Sequence, residues 1–79
     1  MQEPEVYERL AKSFREVFGE DIKLRPDLTS ADVDGWDSFA HINLILAIEA
    51  EFGIRVSTAD VERLKSVGEL VALILRQVQ

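Results

Sequence analysis

Apolar positions along the chain recur at helical spacing almost from end to end. Val6, Leu10, Phe14, Val17 and Phe18 fall at i, i+4, i+8, i+11 and i+12, one stripe on a first helix that Pro4 helps to open and Gly19 closes. Glu5/Arg9 and Glu8/Lys12 stand four apart with the acid first, the favourable order on an exposed face. Residues 19–37 break the pattern. Pro26 has no amide donor, Asp27, Thr29, Ser30, Asp32, Asp34 and Gly35 are turn formers, and Ile22, Leu24, Leu28, Val33 and Trp36 are the apolar points that pin the segment to a core. A connection this long in so short a chain is more often functional than idle.

A second helix is predicted from Ser38 to Phe52, with Asp37 as its N-cap and Gly53 as its break. A short third opens at Ser57-Thr58-Ala59-Asp60 and carries Val61 and Leu64. A fourth opens at the capping box Ser66-Val67-Gly68-Glu69 and carries Val67, Leu70, Val71, Ile74, Leu75 and Val78. Ile54-Arg55-Val56 is too short to read as a strand. The fold class is therefore all-α: a small four-helix bundle, three main helices plus the short third, with a long crossover loop between helices 1 and 2.

The second helix has more apolar surface than one core face needs. With each residue advancing by about 100°, Leu44, Ile45, Ile48 and Phe52 share one sector. Phe39, Ile42 and Leu46 occupy another, roughly 120° away. Either the third helix covers the second stripe, or it stands exposed for a partner. The stripe begins beside Ser38, in the first turn, where unpaired amides and the positive end of the helix dipole tolerate a phosphate. The plainer reading of Asp37-Ser38 is a helix cap and nothing more.

Composition narrows the field. Seventy-nine residues, 47% of them apolar, suffice for one domain over 1–79 with one core, and leave little depth for a catalytic cleft. The absence of cysteine removes disulfides and thiolate chemistry and suits a reducing compartment. No apolar run is long enough to span a bilayer, so no membrane insertion is expected. The acidic start, Met1 to Leu10, is unlike a secretory signal, and the cytoplasm is the expectation. The net charge of −6 is concentrated: residues 31–52 hold five acids and no Lys or Arg. Nucleic acid is a poor partner for that surface, and a basic protein face is its natural complement.

Gly35-Trp36-Asp37-Ser38-Phe39, then His41-Ile42-Asn43-Leu44-Ile45, Ile48-Glu49 and Glu51-Phe52-Gly53-Ile54, resemble the acyl carrier proteins and their peptidyl and polyketide relatives. The resemblance runs on through Val56 and Leu64 to the closing helix. It implies that Ser38 is esterified by 4′-phosphopantetheine from coenzyme A, placed there by a phosphopantetheinyl transferase, with Asp37 the adjacent motif residue. The arm then carries an acyl or aminoacyl group as a thioester. The implied partners are a loading ligase or transferase and a downstream synthase or acyltransferase, met by a monomer that is no enzyme itself. The positions matching the family's docking face are Asp37, Phe39, Ile42, Leu46, Glu49 and Val56, with Asp34 adding charge nearby.

Phe39 stands where Leu is usual, and Ala40, Asn43 and Ala50 stand where carriers of fatty-acid synthesis place acids. Docking is therefore expected to lean on the apolar stripe, in a dedicated pathway other than housekeeping fatty-acid synthesis.

Three other readings compete. An EF-hand alignment with Ser30, Asp32, Asp34 and Gly35 at positions 1, 3, 5 and 6 puts His41 where a bidentate Glu is needed. A hydrolase built on Asp37, Ser38 and His41 lacks a group to orient the imidazole. An unmodified helical adaptor using the Phe39/Ile42/Leu46 face is the strongest alternative.

Overall fold

The structure, a computed structural model, describes residues 1–78. Helix α1 runs Glu3–Phe18, with Pro4 and two acids in its first turn and Arg15 in its last, an arrangement that complements the helix dipole. Val6, Leu10 and Phe14 are fully buried, while Val17 and Phe18 form a half-buried rim. The ion pairs on its outer face differ from the expected ones. Glu5 and Arg9 approach only to 3.9 Å, and Lys12 turns away from Glu8 to Glu51 at 3.4 Å. Arg9 reaches the same acid: its Nε donates to Glu51 Oε2 at 2.8 Å and its Nη2 to the Glu51 carbonyl. The guanidinium also lies 4.8 Å from the centre of the Phe52 ring. Glu51, 42 positions from Arg9 in the sequence, thus outcompetes the local i, i+4 partners, because one carboxylate satisfies two cations.

The crossover, read as turn formers alone, contains a 3₁₀ turn at Ser30–Asp32. Asp32 Oδ2 closes it by accepting from the Thr29 amide at 3.0 Å and the Thr29 hydroxyl at 3.3 Å. Leu28, Val33 and Trp36 are buried as anchors, and Ile22 and Leu24 are half-buried. The segment is also tied to the start of the last helix. Val67 N donates to Leu28 O and Gly68 N to Pro26 O, each at 2.9 Å. A Cβ at position 68 would sit 2.9 Å from Pro26 O, so only glycine permits this approach.

Helix α2 runs Ser38–Phe52 and ends on Gly53, whose φ of 67° lies in the left-handed region and whose amide donates to Glu49 O. Helix α3, Thr58–Arg63, is capped by the Ser57 side chain accepting from Asp60 N. Helix α4, Val67–Val78, starts on a variant of the expected box. Glu69 N donates to Ser66 Oγ at 3.3 Å, but the Glu69 carboxylate accepts from Lys65 N, one residue earlier than the motif prescribes. Leu73 joins the core beside Val67, Leu70, Val71 and Ile74, whereas Leu75 and Val78 are half-buried. The four-helix bundle expected from periodicity is what the chain forms, α1 packing against both α2 and α4 around one hydrophobic core. Among the described residues the only β-type pairing is an isolated bridge between Thr29 and Ser66.

Candidate functional site

Trp36 is 6% exposed, its ring edge-on to Phe14 with centroids 5.4 Å apart. Fixed there, it delivers the next two residues to the surface. Asp37 adopts an extended backbone and its Oδ1 accepts from Ala40 N at 2.8 Å, so the cap role is fulfilled. Ser38 is exposed in the first turn of α2. From it the second apolar stripe runs out along the helix: Phe39 is 75% exposed, Ile42 54% and Leu46 57%. Leu44, Ile45, Ile48 and Phe52 take the buried face. Helix α3 does not cover the outer stripe.

His41 is spoken for at both ring nitrogens. Trp36 Nε1 donates to Nδ1 at 3.0 Å, which leaves Nε2 to carry the hydrogen offered to Val61 O, also at 3.0 Å. The imidazole stacks on the indole at 27°. Such a ring ties the crossover and α3 to α2; it is not placed to take a proton from Ser38, and a hydrolytic pair would need it to. Between these elements lies an open groove of about 780 Å³ whose lining includes Thr29, Trp36, Ser38, His41, Val61 and Leu64. Sequence reading did not place α3 beside Ser38, because nothing local to residues 58–64 points to a partner 20 or more positions away.

Asp34 is exposed near the start of α2. Glu49 and Val56, two of the residues read as docking positions, are brought together: Glu49 Oε2 accepts from Val56 N at 2.8 Å, and both are half-buried. Glu51 faces α1, as described above. Asp32, a ligand in the EF-hand alignment, is used by Thr29 and lies 3.8 Å from Arg25. Among the described residues no three His, Asp or Glu side chains gather in a metal-binding arrangement. No helix of the structure is long and apolar enough to cross a membrane.

Three comparisons bear on this geometry. A family model described as a phosphopantetheine attachment site matches residues 8–74. An acyl carrier protein of Thermotoga maritima is 38% identical over 55 residues, covering 70% of this chain and 60% of that relative. The chain therefore spans less than two thirds of that relative's length. The solution structure of a holo acyl carrier protein from Geobacter metallireducens superposes with a TM-score of 0.85 at 34% identity, over 91% of this chain and 84% of the other.

Proposed function

This chain belongs to the acyl carrier protein family, and on that premise we propose that Ser38 is the attachment point of a 4′-phosphopantetheine arm. The observation that carries the reading is the exposed Ser38 hydroxyl at the head of α2, inside the matched region, with an uncovered apolar stripe leading away from it. The residues present fit such a group. The first turn of a helix offers free amides and a positive dipole end to a phosphodiester. The adjoining groove gives apolar wall from Trp36, Val61 and Leu64. When attached, the arm supplies a thiol that holds an acyl or aminoacyl group as a thioester.

The chain's own residues bind and position; the bond chemistry belongs to partner enzymes. Asp37 fixes the helix start so that Ser38 projects into solvent. Trp36 and His41 hold the crossover and α3 around it. Phe39, Ile42 and Leu46, with Asp34 and Asp37 at one end and Glu49 and Val56 further along, form the face on which a transferase, a loading enzyme and an acceptor synthase or acyltransferase dock in turn. The domain over 1–79 acts in the cytoplasm as a monomer. Ala40, Asn43 and Ala50, uncharged along α2, support service in a dedicated biosynthetic pathway and not in housekeeping fatty-acid synthesis.

Intact-mass measurement after incubation with coenzyme A, magnesium and a broad-specificity transferase tests the assignment. The wild-type chain gains one phosphopantetheine and Ser38→Ala gains nothing. An unmodified adaptor, the reading that the same exposed stripe also favours, predicts no mass change in either and one lasting protein partner.

A further inference from the structure

The exposed residues of α2 are Ser38, Phe39, Ile42, Asn43, Leu46 and Ala50, and none of them is ionisable. The helix has three ionisable side chains, and each is engaged within the molecule. His41 bridges Trp36 and Val61, Glu49 accepts from Val56 N, and Glu51 lies between Arg9 and Lys12 with its side chain 19% exposed. Exposed carboxylates near the helix lie off its body: Asp34 and Asp37 at its N-terminal end, Asp37 also capping it through Ala40 N, and Glu62 on α3. The exposed carboxylates of the acidic middle, Asp32, Asp34 and Asp37, therefore all precede an apolar ridge, on a helix whose exposed side chains carry no charge. Phe39 to Leu46 spans about 10 Å along the axis, at 1.5 Å per residue.

A basic docking face laid along this ridge would desolvate lysines and arginines against groups that cannot pair with them, which is costly. An apolar face meets no such penalty and gains the burial of three large side chains. We propose, resting on the carrier reading, that the enzymes this chain serves receive α2 in an uncharged apolar trough that takes Phe39, Ile42 and Leu46. Their basic side chains are confined to the end that meets Asp34 and Asp37. Binding of this kind is carried by a few apolar anchors and responds weakly to ionic strength.

Two phosphopantetheinyl transferases serve as probes, one with an apolar docking surface and one with a basic one, each supplied with coenzyme A and magnesium. Loading of Ser38 is followed by intact mass, and kcat/KM is taken between about 50 and about 500 mM salt, a range that shortens screening several-fold. The apolar-faced enzyme loads the wild-type chain faster, with less than about a threefold change across that range. Ile42→Asp and Leu46→Asp each lower its kcat/KM by about tenfold or more, the loss of an interface anchor, while thermal unfolding shifts by no more than a surface substitution causes. Combining Ala40→Glu, Asn43→Glu and Ala50→Glu raises loading by the basic-faced enzyme and makes it salt-sensitive. Faster loading of the wild type by the basic-faced enzyme, with a steep fall in salt, overturns the proposal. So does loading that is indifferent to Leu46→Asp, or a concentration-dependent dimer that Leu46→Asp dissolves, since the stripe would then belong to a second copy. Loading by neither enzyme removes the carrier reading itself, an outcome distinct from loading with the wrong preference.

Discussion

The indole of Trp36 meets Phe14 edge-on, stacks on His41 and donates its own N–H to Nδ1 of that imidazole. Removing it would empty the contact between crossover and α1 and leave His41 Nδ1 without its donor. Trp36→Ala is expected to destabilise the fold by about 3–5 kcal/mol, the range for truncating a buried large aromatic. Urea unfolding followed by far-ultraviolet circular dichroism checks this, and a wild-type emission spectrum typical of a solvated indole would contradict the packing. That Trp36 anchors the loop was legible from its isolation among turn formers. The role of His41 was not. Its place within the core sector of α2, about 300° on from Ser38, says only that the ring is turned toward the interior, and both its partners come from other elements. Asp32 carried a weaker local signal, since Thr29-Ser30-Ala31-Asp32 matches the S/T-x-x-D/E capping pattern.

Among the helices, α2 was the most readable, because two apolar sectors on one cylinder are an angular fact that needs no tertiary knowledge. Which of its acids face solvent could not be read the same way. Glu49 and Glu51 lie at the margins of the core face, and a long carboxylate there can reach either outward or to a neighbouring backbone or cation. In the structure both reach inward. For Glu51, hydrogen bonding from Arg9 first, then the lesser influence of Lys12, outweighs partial burial and holds its carboxyl below the ordinary 4.5. A folded-state value depressed in this way contributes stability that is complete above about 4.5 and lost as pH falls through the lower folded value. Glu51→Gln should therefore flatten the acid limb of a stability-versus-pH curve measured by denaturant midpoints, while reducing stability near neutrality. An unchanged acid limb would mean that the α1–α2 clasp does not operate in solution.

Across the molecule the core is unevenly shared. Helices α1, α2 and α4 each bury several side chains, whereas α3 buries none of its own six residues. It is held through Leu64 just beyond its end and through the Val61 carbonyl facing His41. Amides of Thr58–Arg63 are expected to exchange with deuterium faster than those of the other three helices. His41→Ala should speed them further and leave α1 and α4 unaffected. Uniform protection across all four helices would show that the imidazole link carries no mechanical share.

The meeting of Gly68 with Pro26 has a consequence for the order in which the chain comes together. Those two positions bracket the whole of α2 and α3, so their contact encloses more than half of the polypeptide in a single ring. Closing so wide a ring costs entropy before it returns any contact energy. The Pro26–Leu28 stretch is therefore expected to seat late in folding, and a low φ-value for Leu28→Ala would check this. The strap that precedes the serine-bearing turn thus gains its tie to α4 only after the chain has been built through Gly68.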